Sequence, residues 1–216
     1  MIILLSLFSL LCIKHYAGHE NKHPGPTPTE DTMRWTRCMP VNQTIYDFTV
    51  STLDGQMTDL KKYKGEVLLI VNVATFCAYT QQYLDFNAML EKYSADKMKI
   101  LAFPCNQFYL QEPAENHEIL ETIQHVRPGK NFRPHNNLSI FGKLEVNGAG
   151  HHSLYEFLKN VCPPIRSNDI TWNFEKFLVD RQGRPRFRFH PTAWNSGQVL
   201  DPFLHQLLAE KELNHL

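Results

Sequence analysis

No excess of either charge marks this chain. Lysine plus arginine and aspartate plus glutamate each number 22, and the formal net charge is zero. A nucleic-acid or anionic-membrane partner would call for a basic surplus, so the sequence offers neither an electrostatic basis. Metal-ligand spacing is missing too. The 11 histidines are scattered, and the adjacent His151 and His152 read as a solvated loop pair; no metal is expected. No internal repeat is present. The apolar run "IILLSLFSLLCI" near the start is too short for a comfortable transmembrane helix and suits the core of a secretory signal.

Behind that run, Ala17 and Gly18 offer small residues for cleavage, so residues 1–18 are expected to be a signal peptide. The first residues lack lysine and arginine, which leaves a retained signal anchor as the other reading. With the signal removed, no integral membrane span is expected. Residues 19–36 are polar and proline-rich without apolar periodicity, and read as a flexible tail. Residues 37–216 are left as one domain, since 216 residues at 43% hydrophobic content support one substantial core. Two sequons, at Asn42 and Asn137, agree with glycosylation and a secreted protein. If Cys12 leaves with the signal, Cys38, Cys77, Cys105 and Cys162 remain. An even number fits disulfides, yet a domain of this size does not need them, so free thiols are the alternative. A Cys38–Cys162 bridge is one of the pairings that sequence alone leaves open.

The remaining pattern alternates strands and helices. "TIYDFTVSTLDGQMTDL" reads as an N-terminal hairpin turning at Asp54-Gly55. "EVLLIVNVA" is the continuous apolar run of a strand buried on both faces, and "KMKILAFP" is a second, shorter one. Helical spacing appears in "TQQYLDFNAMLEKYS", in "ENHEILETIQHV" (Ile119, Ile123 and Val126 on one face), in "HSLYEFLKNV" and in the C-terminal "SGQVLDPFLHQLLAEKEL". "VRPGKNFRPHNN" is a loop, and "NFEKFLVD" and "RPRFRFHP" flank a second hairpin at Arg181-Gln182-Gly183. The alternation predicts an α/β fold with a central mixed sheet flanked by helices.

Within this pattern Cys77 stands where the first buried strand gives way to a helix, with Thr80 as the predicted N-cap. The positive end of a helix favours a thiolate, the reactive form of cysteine. A small buried hydrophobe is the competing reading.

Three segments carry a resemblance. "NVATFCAYT", "FPCNQFYLQEP" and "TWNFEKFLVD", in this order and spacing, resemble the glutathione peroxidases, and the likeness runs over residues 44–190. With the signal, the sequons and Cys38, the chain looks most like the secreted, plasma- and epididymis-type branch, with cysteine where many members have selenocysteine. The resemblance implies a thioredoxin-like fold and a peroxidase that reduces hydrogen peroxide and organic or lipid hydroperoxides at the expense of a thiol. It implies Cys77 as nucleophile, with Gln111, Trp172 and Asn173 as hydrogen-bond donors around the sulfur. Asn106 and Gln107 read either as supporting or as turn residues. It also implies a family basic position at Arg127 and anion-binding positions for the thiol at Arg186 and Arg188, against a reading of all three as solvated surface. No resolving cysteine stands in residues 114–128, so two external thiols, glutathione or another, would regenerate the enzyme without a bound cofactor. The "VRPGKNFRPHNN" loop points to a homo-oligomer, a tetramer, while the short stretch between Cys162 and Trp172 is closer to monomeric members. Two rival readings stand beside the peroxidase: a secreted redox sensor or thiol oxidase, and a non-enzymatic scaffold with an inert Cys77.

Overall fold

The structure, a computed structural model, describes residues 34–93 and 98–210. The expected signal peptide and most of the polar tail lie outside the described residues. Eight strands are present among them: β1 (Trp35–Arg37), β2 (Thr49–Ser51), β3 (Met57–Asp59), β4 (Val67–Val73), β5 (Met98–Pro104), β6 (Leu138–Ile140), β7 (Lys176–Val179) and β8 (Pro185–Phe189). The helices are α1 (Gln82–Tyr93), α2 (Ile119–His125), α3 (Ser153–Val161) and α4 (Asp201–Ala209).

Six strands form one mixed sheet in the order β1-β8-β7-β4-β5-β6. β4 runs parallel to β5 and antiparallel to β7, which places it at the centre. All seven residues of β4 are buried. Val67, Leu69, Val71 and Val73 enter one core with Phe86 of α1 and Leu204 of α4, while Leu68 and Ile70 enter a second with Leu154 and Leu158 of α3. Each aliphatic side chain so placed stabilises the fold by roughly 1.5–3 kcal/mol relative to exposure. The continuous apolar run is thus explained by helices on both faces.

The N-terminal hairpin pairs Thr49 with Asp59 and turns through Gly55 at φ +81. The second hairpin turns at Gly183, where φ is +79 and a Cβ would stand 2.6 Å from the Tyr46 ring. Only glycine satisfies both conditions.

Three expectations change. Residues 35 and 36, assigned to the expected tail, belong to β1, where Trp35 packs 4.7 Å from the Phe203 ring and the strand pairs with β8. β6, which the pattern did not predict, extends the sheet beyond β5. Val126 is 59% exposed and leaves the buried face of α2, where Ile119 and Ile123 remain. The α2 helix has already ended at His125.

Candidate active site

After β4 the chain passes through Ala74 and Thr75, both buried, and enters a 3-10 turn, Ala78–Gln81, that leads into α1. Cys77 is the residue that caps this turn. Its backbone is extended at φ −94, ψ 152, and its Sγ accepts the Tyr79 N–H at 3.4 Å. Thr80, predicted as the cap, instead returns the contact: its Oγ1 accepts the Cys77 N–H at 3.2 Å. The helical turn starts earlier than apolar spacing suggested, so the cap falls on the cysteine. Cys77 is completely buried. A backbone N–H aimed at sulfur at a helix start is an environment that accommodates negative charge.

A second loop, after β5, presents Gln111. The Phe76 N–H donates to the Gln111 carbonyl at 2.9 Å, which ties the loop directly to the turn bearing Cys77. Gln111 Oε1 in turn accepts Asn173 Nδ2 at 2.9 Å. Next to Asn173, the Trp172 ring lies 5.9 Å from Phe108 and 5.4 Å from Tyr109, and packs against both cores, one of which holds Cys77. Cys77, Gln111, Trp172 and Asn173 therefore share one region, built from the ends of β4 and β5 and the turn before β7.

Sequence reading missed the residues that hold this region together. Asn72 of β4 donates from Nδ2 to the Trp172 carbonyl at 3.0 Å and accepts the Glu175 N–H at 3.1 Å. Its own carbonyl receives the Phe174 N–H at 2.6 Å. Phe174 takes a left-handed φ of +66, and Lys176 Nζ donates to its carbonyl at 2.6 Å. Burial pushes the Lys176 ammonium down to about 7. Glu112 is buried and accepts both the N–H and the hydroxyl of Thr75, at 2.9 and 3.0 Å. Burial raises its carboxyl to about 7, against the opposing pull of the Thr75 bonds and Lys143. One signal could have found Asn72: a lone amide inside a run buried on both faces must be hydrogen-bonded, since leaving it unpaired costs about 1–3 kcal/mol.

Asn106 and Gln107 prove to be supports. Asn106 Oδ1 accepts the Glu112 N–H at 2.9 Å, and Gln107 Oε1 accepts the N–H groups of Val146 and Asn147. The adjacent histidines are only half-buried, and His152 is more than a loop residue: its Nδ1 caps α3 by accepting the Leu154 N–H at 3.1 Å.

The three arginines have different surroundings. Arg188, read from the resemblance as a thiol-binding residue, is fully buried. Its Nε meets Glu175 at 2.6 Å and its terminal nitrogens reach the carbonyls of Cys162, Ser167, Asn168 and Asp169. A guanidinium so committed inside the fold is a structural clamp, which corrects the substrate-binding expectation. Arg186 is paired with Glu210 at 2.7 Å and Asp180 at 3.1 Å, two strands away from β4 in the sheet. Arg127 is half-buried in the loop after α2.

Cys38 and Cys162 are bridged, with Cα atoms 4.0 Å apart, while Cys77 and Cys105 are free and buried. Burial raises the Cys105 thiol. Asn42 is exposed, and Asn137 is half-buried with Oδ1 accepting Lys99 Nζ at 3.0 Å. Among the described residues no cluster of His, Cys, Asp and Glu could hold a metal, and no helix is long and apolar enough to cross a membrane.

Comparison with known proteins gives this geometry a context. The family described as glutathione peroxidase matches residues 45–159. A Caenorhabditis elegans protein named glutathione peroxidase 3 is 59% identical over 196 residues, covering 84% of this chain and 88% of its own. The cuticular glutathione peroxidase of Brugia malayi is 52% identical over 201 residues, covering 86% and 90%. The crystal structure of T. cruzi GPX1 shares 35% identity at a TM-score of 0.61, over 79% of this chain and 100% of that one. A thioredoxin family protein from Chlorobium tepidum, at 13% identity and a TM-score of 0.50 over 81% and 97%, shares the fold alone. The fold is thioredoxin-like, as the resemblance implied. With a family match over more than half its length and relatives identical at more than half of aligned positions, the chain belongs to the glutathione peroxidase family.

Proposed function

We propose that this chain, a thiol-dependent peroxidase by family, carries out its chemistry on the Cys77 sulfur. The thiolate attacks the nearer oxygen of a hydroperoxide, the O–O bond breaks, and the departing alkoxide or hydroxide takes a proton from water. Sulfur is oxidised to a sulfenic acid. A first thiol condenses with it, releasing water and leaving a mixed disulfide; a second thiol attacks that disulfide, freeing Cys77 and a disulfide product. Glutathione is the reading for the thiol, and hydrogen peroxide and organic or lipid hydroperoxides for the oxidant. No bound cofactor is called for, because the sulfur and two thiols balance the electrons.

The observation that carries this proposal is the sulfur's placement: Cys77 caps a helical turn whose neighbour, Phe76, is bonded to Gln111, itself bonded to Asn173. Amide and indole N–H groups near a sulfur anion or a departing oxygen stabilise charge without titrating. With Arg188 in the interior, Arg127 and Arg186 remain as candidates to meet the carboxylates of a thiol substrate.

An extracellular location belongs to the same proposal. It is supported by the name cuticular given to the Brugia malayi relative, by the sequons and by the Cys38–Cys162 bridge, a linkage that persists in oxidising surroundings. The signal peptide and glycosylation at Asn42 and Asn137 go with it. A homo-oligomer rests on the loop after α2 alone. The test is steady-state turnover with glutathione, thioredoxin and cysteine, each against hydrogen peroxide and a lipid hydroperoxide. Turnover with glutathione supports the reading. Poor turnover with every small thiol, together with a mixed disulfide trapped on a protein partner, would favour a thiol oxidase instead.

A further inference from the structure

Glu112 is the buried acid closest in the chain to Gln111, and the peroxide chemistry described above makes no use of it. Its side chain is completely inaccessible, yet only one carboxylate oxygen is engaged. That oxygen takes both donors of Thr75, two residues before Cys77, while Oε1 has no partner. Together with the Phe76–Gln111 backbone bond, three hydrogen bonds join residues 75–76 to residues 111–112. The Glu112 backbone is itself anchored: its N–H donates to Asn106, and its carbonyl accepts Lys143 Nζ at 3.3 Å. The clasp is therefore anchored on the glutamate side and bonded to the segment that carries the sulfur.

We propose that Glu112 is a positioning residue for the nucleophile: its carboxylate clasps Thr75, fixes the Cys77 turn against the Gln111 loop, and loosens that grip when it takes up a proton. A charged acceptor holds N–H and O–H donors about twice as strongly as a neutral one. A loop displaced by even about 1 Å can slow attack by about 10²-fold.

The groups facing Glu112 leave it as the one that changes charge near neutrality. Lys143 approaches from the segment after β6, Tyr83 from α1, and Cys105 from the end of β5 with Glu145 beyond it. Burial raises the Tyr83 phenol well above its ordinary range and raises the Cys105 thiol, so both stay protonated. Glu112, at about 7, does not.

This inference rests on Cys77 being the nucleophile, and the experiment separates the two. The rate of Cys77 oxidation by hydrogen peroxide would be followed by stopped-flow tryptophan fluorescence from about pH 5 to about pH 9. Alkylation by iodoacetamide over the same range reports thiolate independently. Wild type should show the ionisation seen in alkylation plus a second one near 7. Glu112→Gln keeps an acceptor for Thr75 but, like the protonated acid, carries no charge, so the second step should vanish and the rate should stay about 3–10-fold below the wild-type high-pH plateau. Glu112→Ala should lose about 10–10²-fold at every pH. If the alanine variant fails to fold, Thr75→Val, which removes the hydroxyl and keeps the N–H, should lose about 3–10-fold. A Glu112→Gln profile superimposable on wild type, or wild-type rates in a folded Glu112→Ala or Thr75→Val protein, would overturn the inference while leaving Cys77 as nucleophile. Full turnover in Cys77→Ser would overturn both.

Discussion

Arg188 and Glu175 meet inside the protein, Nε to Oε1 at 2.6 Å, with neither side chain exposed by more than 1%. The other carboxylate oxygen of Glu175 accepts the N–H and hydroxyl of Thr171, each at 2.8 Å. The pair thus braces both sides of the turn that carries Trp172 and Asn173. Removing one partner leaves a buried charge unpaired, at a cost of about 3–5 kcal/mol. Glu175→Ala should therefore lose that much in urea unfolding. Arg188→Met combined with Glu175→Leu should recover most of the stability but not the peroxidase rate, because Thr171 stays without its acceptor. A double variant with full activity would mean that the brace serves stability alone.

Cys77 should be the one described cysteine required for peroxide reduction. Cys77→Ser is expected to abolish hydrogen peroxide consumption. Cys105→Ser should leave most of it, since that thiol is buried and its Sγ–H points to Gln107 at 3.7 Å. Wild-type turnover in Cys77→Ser refutes the assignment.

Gln111 and Asn173 are bonded to one another, so their losses should not add. Gln111→Ala or Asn173→Ala is each expected to slow Cys77 oxidation by about 10²–10³-fold, by analogy with lost oxyanion donors. The double variant should be slower than either single one by much less than the product. Strict multiplicativity in stopped-flow rates would show that the two amides act independently.

Stability should depend on pH through Glu112. Its carboxyl is raised from 4.5 to about 7 in the fold. The folded state therefore favours the protonated form. The associated stability is complete below 4.5 and is lost as pH rises through about 7. Glu112→Gln carries no such dependence. Relative to wild type it should gain on the order of 2–3 kcal/mol between pH about 4 and about 8, measured by denaturant unfolding at each pH. A constant difference across that range would contradict the assigned shift.

The Cys38–Cys162 bridge closes a sequence separation of 124 residues. Loop entropy assigns such a link about 4–5 kcal/mol. Cys38→Ser should lower stability by up to that amount, and non-reduced digests should yield the two cysteine peptides joined. Separate peptides bearing free thiols would exclude the bridge.

The parts of the fold visible in sequence are those set by local pattern. β4 was legible because two covered faces demand an unbroken apolar run, and α1 because its buried residues recur at helical spacing. β1 and β6 were not: each is three residues long and exists by pairing with a neighbour already in the sheet. The site divides in the same way. Cys77 could be placed from the strand-to-helix change, whereas the contact between Gln111 and Asn173 spans 62 residues and came only through the motif resemblance. Arg188 was assigned to thiol binding through the resemblance alone, which does not show what packs over its face of β8. The segment of residues 162–169 covers that face, and its carbonyls take the guanidinium. What lies opposite a residue is a tertiary fact, and Glu112 and Asn72 went unnoticed for the same reason.

The sulfur that closes the first turn ahead of α1 is also the proposed reacting atom, and one atom cannot change its chemistry without changing the other task. As thiolate it is a strong acceptor for the Tyr79 N–H, as sulfenic acid it offers an oxygen in its place, and as a mixed disulfide it offers only a weak, neutral sulfur. The start of the helix would then tighten and slacken once per turnover. The backbone amide of Tyr79 would serve as an internal gauge of oxidation state, to be read by hydrogen exchange against the amides of the sheet.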